Sequence, residues 1–253
     1  MASDAQIGQT VELGPLALSR LGLDDAVAAC ADRFERGAGG TACFVNVHTL
    51  VEATSEPSLR KALCSATYRF ADGMPLLWLA RAKHEPIAGR VCGPDFMEAM
   101  LRRERTRVHG LIGATPATTR AIAERFAIET VAYSPPVRPF RESHARADWA
   151  AFLDACGGSP PACVWVALGA PKQELWLAAV AELAPNVMFF GVGAAFDFLA
   201  GNTPRAPRFM QRYSLEWLHR LAHEPTRLWR RYAISGTRFV TFAARELTAS
   251  RRS

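Results

Sequence analysis

The sequence predicts an α/β fold: a parallel sheet core followed by a helical, Arg-rich C-terminal appendage. Three observations carry this. Apolar runs of strand length alternate with segments of helical period. That alternation ends near Gly201, after which only helical patterns follow. The charge is also unevenly placed. Net charge is +6, yet residues 201–253 hold eleven Arg and no Lys against three Glu, so the rest of the chain is slightly acidic.

The strand-length runs are Ala42–Val47, Tyr68–Phe70, Val108–Ile112, Thr130–Tyr133, Val164–Leu168 and Val187–Val192. The helical segments between them are Leu50–Ala66 (one helix or two, with Pro57 at a start), Met74–Ala82, Phe96–Glu104, Pro116–Phe126, His144–Ala155 and Gln173–Leu183. Strands joined through helices pair in parallel, because a parallel connection needs a crossover. Beyond Gly201, Pro204 and Pro207 open a stretch in which Leu215, Leu218, Leu221 and Ala222 share one helical face. Pro225 starts another helix, in which Arg227, Arg230 and Arg231 fall at i, i+3, i+4. The expected division is a Rossmann-like core at 1–200 and a basic helical appendage at 201–253.

At 49% hydrophobic and 21% charged, the chain has ordinary globular composition. No stretch nears the roughly 18 apolar residues of a membrane span, and Met1–Thr10 lacks the apolar run of a signal peptide. Six cysteines at 30, 43, 64, 92, 156 and 163 form no C-x-x-C pair. They read as reduced core residues, which favours the cytoplasm.

In open parallel sheets, ligands bind where strands end and loops lead into helices. Asp72, between a short strand and Gly73, stands there as a general base for an incoming hydroxyl or as a helix cap. Gly169-Ala170-Pro171-Lys172-Gln173-Glu174 opens a helix whose free N–H groups, with Lys172, attract an anion. Gln173 adds a donor for a sugar hydroxyl or phosphate. Gly191-Val192-Gly193-Ala194-Ala195-Phe196-Asp197 approaches a dinucleotide fingerprint but has Phe at the third glycine position. That disfavours NAD(P) and a nucleotide-dependent oxidoreductase, while leaving a mononucleotide pocket with Asp197 as an acceptor. Arg90-Val91-Cys92-Gly93-Pro94-Asp95 reads as a mainly structural turn from which Arg90 reaches ligand. No D-x-D pair occurs anywhere in the chain. Stabilisation of a leaving diphosphate therefore falls to arginines and helix N-termini.

These segments, taken in order with Val45-Asn46-Val47-His48-Thr49-Leu50, Arg205-Ala206-Pro207-Arg208, Glu216-Trp217-Leu218 and the run at 224–232, resemble glycosyltransferase family 26, the WecG/TagA/CpsF type. The resemblance covers about Phe44 to Phe239. It implies an inverting, metal-independent enzyme that needs no cofactor and moves a sugar from a UDP-sugar donor to a polyprenyl-diphosphate-linked acceptor. It implies Asp72 as the base, Gln173 near the donor and Asp197 at the uridine. It also implies a basic C-terminal appendage that closes the site at the membrane and supplies arginine to the diphosphate from among Arg208, Arg220, Arg227, Arg230 and Arg231. Some members carry Thr two positions before the residue matching Asn46. Here that place is Phe44, and Thr49 is the expected substitute. The expected partners are the UDP-sugar, the lipid-linked acceptor and an anionic membrane surface at the inner face of the bacterial inner membrane. A homo-oligomer is open. A nucleic-acid module using the basic tail is the rival partner class, disfavoured because Trp217, Trp229 and Tyr232 fall at helical spacing with leucines.

Overall fold

The structure is a computed structural model that describes residues 9–207, 210, 216–223 and 225–250. A two-stranded antiparallel hairpin, β1 (Thr10–Leu13) and β2 (Leu16–Ser19), comes first, followed by α1 (Leu23–Glu35). Six strands then form one sheet: β3 (Gly40–Val45), β4 (Tyr68–Ala71), β5 (Val108–Ile112), β6 (Glu129–Tyr133), β7 (Cys163–Val166) and β8 (Met188–Gly191). Their spatial order is β4-β3-β8-β7-β5-β6, and every neighbouring pair is parallel.

Alternation along the strands divides the core between two faces. Phe44, Phe70, Trp165 and Phe190 point to one face. There they meet α1, α5 (Gly93–Arg103), α6 (Pro116–Phe126) and α9 (Ala195–Ala200). Phe96 of α5 sits among these rings, 5.2 Å from Phe44 and 5.3 Å from Phe190, while Trp165 stacks on Phe190 at 4.5 Å. Cys43, Val45, Val164, Val166 and Phe189 point the other way. That face is covered by α2 (Val47–Ser55), α3 (Pro57–Cys64), α4 (Met74–Ala82), α7 (Glu142–Ala155) and α8 (Lys172–Ala181). Both faces are buried, as an all-parallel sheet requires.

The tail contains α10 (Glu216–His223) and α11 (Pro225–Ser250). α11 lies against the core rather than standing free of it. Phe239, Phe242, Ala243 and Leu247 pack on the α2/α4 side. Lys83 Nζ meets Glu246 Oε2 at 2.9 Å, and His48 Nδ1 lies 2.9 Å from the buried Ser235 Oγ. The Phe242 ring also lies so close to the hairpin turn at Gly14 that a Cβ there would come within 2.5 Å of it.

Element boundaries shift from the expected ones for local reasons. The strand expected over Ala42–Val47 stops at Val45, because Asn46 caps α2 by accepting from Thr49 N. The Leu50–Ala66 segment is two helices, separated at Glu56, whose backbone is extended before Pro57. The Val164–Leu168 strand ends at Val166. α5 begins at Gly93 instead of Phe96, with Pro94 in its first turn. Cys30, Cys43, Cys92 and Cys163 are buried as expected, but Cys64 is exposed and Cys156 only half-buried. All six are free thiols. Among the described residues, no helix is long and apolar enough to cross a membrane.

Candidate active site

The helix that follows β8, α9, covers the opposite face from α2 and α8, which follow its neighbours β3 and β7. Chain leaving neighbouring strands in opposite directions opens a crevice at their carboxyl ends. The loops at 46, 72, 167–172 and 192–197 border that edge.

Asp72 follows β4 directly, and its N–H donates to Val45 O at 2.8 Å, extending the β4 ladder by one residue. The cap position of α4 is the next residue, Gly73 (φ 159°), which has no side chain to cap with. Asp72 is half-buried. The segment leading into α5 runs beside it, with Val91 N–H donating to Ala71 O at 2.9 Å. At the start of α5, Gly93 is wedged against the residue that follows β8, where a Cβ would come within 2.8 Å of Val192 O. Only a glycine lets the helix start approach that closely. The ends of β4 and β8 and the start of α5 thus converge.

Four side chains gather at this convergence. Asp95, in the first turn of α5, pairs with Arg205 Nη1 at 2.5 Å and lies 3.6 Å from Arg90 Nη2. Cys92 Sγ donates to Asp95 Oδ2 at 2.8 Å, and Arg205 Nη2 reaches the same sulfur at 3.7 Å. Burial raises the Asp95 carboxyl, but its hydrogen bonds to Arg205 and Cys92 and the charges of Arg205 and Arg90 outweigh burial and hold it below the usual carboxylate range. Burial pushes the Cys92 thiol well up, and the nearby charges of Asp72 and Asp95 push it further. Cys92 is therefore a neutral packing and hydrogen-bonding group, not a nucleophile. The bond from Val91 N–H to Ala71 O brings the segment that bears Arg90 and Cys92 alongside the β4 end that bears Asp72.

Gln173 joins two of the sequence motifs. It is 4% exposed, its Oε1 accepts from Gly193 N–H at 2.9 Å, and its Nε2 donates to Glu174 Oε1 at 3.3 Å. The residue expected to donate to substrate is thus the stitch between the 169–174 and 191–197 loops. Gln173→Ala is expected to strand the Gly193 N–H and lower stability by about 1–3 kcal/mol. Urea denaturation checks this, and an unchanged midpoint denies the stitch.

Asn46 and Thr49 also hold each other. Asn46 Oδ1 accepts from Thr49 N–H at 3.1 Å and from Thr49 Oγ1 at 3.2 Å. Thr49 is only 2% exposed, so it acts through Asn46, which is half-buried at the strand end. Lys172 begins α8 and is half-buried. Asp197 is exposed; its Oδ1 accepts from Asn202 at 3.3 Å, and Asn202 reaches Thr118 of α6 at 3.0 Å. Asp197 therefore borders the β5 side of the edge, away from Asp72. Beyond it, a shallow cleft of about 330 Å³ is lined by Ala114, Thr119, Arg120 and Ser134.

Of the tail arginines, Arg208 lies outside the described residues, as do the side chains of Arg220, Arg227, Arg230 and Arg231. The arginine that the structure does place at the site is Arg205. Sequence reading passed over it, and its signal was its position in the Arg-Ala-Pro-Arg run.

Fold and site together define an α/β enzyme of the open parallel-sheet class, with its polar machinery at the carboxyl edge. The model of the Glycosyl transferase WecG/TagA/CpsF family matches residues 11–253, nearly the whole chain, and the chain belongs to that family. It is a glycosyltransferase.

Proposed function

We propose that this glycosyltransferase moves a sugar from a UDP-sugar to a polyprenyl-diphosphate-linked acceptor, with inversion, in bacterial exopolysaccharide or cell-surface glycan synthesis. The observation that carries the reading is Asp72: a half-buried carboxylate at the β4 end, with the segment that leads into α5 bonded alongside, in a chain of this family. The donor lies across the strand ends, between the loops that Gln173 joins. Asp72 takes the proton from the acceptor hydroxyl as its oxygen attacks the anomeric carbon. The new glycosidic C–O bond forms on the face opposite the diphosphate, the old anomeric C–O bond breaks, and UDP leaves with the bond's electron pair. Residues 1–200 are the catalytic core. Residues 201–253 dock the enzyme on the inner face of the bacterial inner membrane and close the site.

The proposed chemistry uses no metal. The sequence has no D-x-D pair. Among the described residues, no three His, Cys, Asp or Glu side chains come together to hold an ion. Cationic arginines answer the charge that develops on the leaving group. Activity is expected to persist in EDTA, measured as UDP release from a panel of UDP-sugars with membrane extract as the acceptor source. A strict need for added Mg²⁺ or Mn²⁺ refutes the arginine account. No turnover with any UDP-sugar refutes the donor.

A further inference from the structure

We propose that Glu174 is a positioning residue of the donor site, acting through Gln173, and that Gly191 leaves the space in which the Gln173 carboxamide sits. The inference rests on the reading that the donor lies between the loops Gln173 joins.

β8 runs between β3 and β7, and Gly191 is its last residue, opposite Cys43 on one side and Val166 on the other. Side chains alternate along a strand, so Gly191 faces the α8 side with Phe189. A Cβ at Gly191 would come within 2.7 Å of Gln173 Nε2 and 2.8 Å of Leu177 Cδ1. Gln173 and Leu177 stand one turn apart on α8, and both are buried. The carboxamide thus occupies the place of the missing side chain. Gly193 has φ 56°, in the left-handed region that favours glycine, and its N–H meets the amide oxygen. The two glycines that look like part of a dinucleotide fingerprint therefore serve Gln173. One gives it room and the other gives it a donor.

A carboxamide can turn end for end with almost no change of shape, so its partners decide which way it faces. Gly193 N–H requires the oxygen. Glu174 Oε1, at 3.3 Å, requires the nitrogen. Turned over, the amide would set its NH2 against an N–H and its oxygen against an oxygen. Glu174 is buried beside Gln173, so no bulk water stands in for its carboxylate. Without that acceptor the amide can turn, Gly193 loses its partner, and the 191–197 loop is released from the 169–174 loop.

The test reads amide hydrogen exchange by NMR in the full, unliganded chain. Val192 N–H, which donates to Val166 O at 3.0 Å, is the control beside Gly193. Glu174→Leu is close in size and has no acceptor. It is expected to speed exchange at Gly193 about tenfold and to leave Val192 unchanged. Glu174→Gln keeps an acceptor oxygen and is expected to restore slow exchange at Gly193. Equal acceleration at both positions, acceleration at neither, or fast exchange in Glu174→Gln overturns the proposal. In a Gln173→Ala chain, adding Glu174→Leu is expected to change nothing more at Gly193, and an additive effect overturns the claim that Glu174 acts through Gln173. If Glu174→Leu does not fold, Glu174→Gln still decides, because fast exchange at Gly193 there overturns the orienting role. Gly191→Ala displaces the amide from the other side and is expected to speed Gly193 exchange likewise; slow exchange overturns the space assigned to Gly191. The donor role is read by titrating UDP into the same proteins. Glu174→Leu is expected to weaken UDP binding about tenfold and Glu174→Gln to recover it. Fast Gly193 exchange with unchanged UDP affinity overturns the donor role. If the unaltered chain does not bind UDP, the donor reading fails, while the orientation of Gln173 is still judged by exchange.

Discussion

Asp72→Asn is expected to fold, to bind UDP and to transfer sugar about 100-fold or more slowly, the range for losing a positioned general base. The amide matches the carboxylate in size and cannot take the acceptor's proton. The substitution leaves the main-chain bond from Asp72 N–H to Val45 O in place. It also leaves the start of α4 alone, because the cap position there is Gly73 and no side-chain cap bond is made. A melting temperature close to that of the unaltered chain, with turnover collapsed, separates a chemical role from a structural one. Single-turnover rates with a bound donor sharpen the comparison, because they exclude product release. Near-normal turnover in a folded Asp72→Asn protein removes Asp72 from the chemistry.

How much of this was legible beforehand follows from the range of each interaction. Six apolar runs became six parallel strands; strands buried on both faces, such as β7 and β8, leave a continuous apolar signature, while β6 at the sheet edge is only half-buried. The strand order was not legible, since pairing β3 with β8 joins Cys43 to Gly191 across most of the chain. The β1–β2 hairpin was missed because β1 alternates exposed and buried residues and so leaves no continuous apolar run. α1 was missed because its buried face is largely small residues, Ala26, Ala29, Cys30 and Ala31, with little contrast against its surroundings. At the site, Asp72, Gln173 and Asp197 could be placed at strand ends because a loop after a strand is a local feature. What those side chains touch is not local. Gln173 reads as a free donor until Gly193 is brought to 2.9 Å from its oxygen. Thr49 reads as a ligand contact until its hydroxyl is seen to donate to Asn46. Asp95 reads as a first-turn acid that complements its own helix. Its pairing with Arg205, 110 positions later, exists only in the fold.

Changing Arg227, Arg230 and Arg231 together to Gln is expected to weaken binding to anionic vesicles about 100-fold. Each basic residue near an anionic leaflet contributes about 1 kcal/mol, screened beyond about 8 Å at physiological salt. Residues 201–253 carry eleven Arg against three Glu, so three fewer cations remove a large part of the attraction. The packing of α11 explains how such a tail can dock without unfolding. Its Ser235, Phe242 and Leu247 side is held by the core, while Trp229, Ile234 and Val240 on the same helix are exposed at 55%, 49% and 69%. Trp78 of α4, six residues beyond Asp72, is exposed at 57%. Exposed aromatic and aliphatic side chains among arginines suit the boundary between headgroups and acyl chains. Salt then sorts the contributions: vesicle binding of the unaltered chain falls as ionic strength rises, whereas the triple variant, left with its apolar contacts, responds less. Transfer assays resolve a second role. If the three arginines only dock the enzyme, a short-chain, water-soluble acceptor restores normal turnover to the triple variant. If they also meet the diphosphate, turnover stays low with both acceptors while the fold is intact. Unchanged vesicle binding and unchanged transfer with both acceptors leave these arginines as solvated surface.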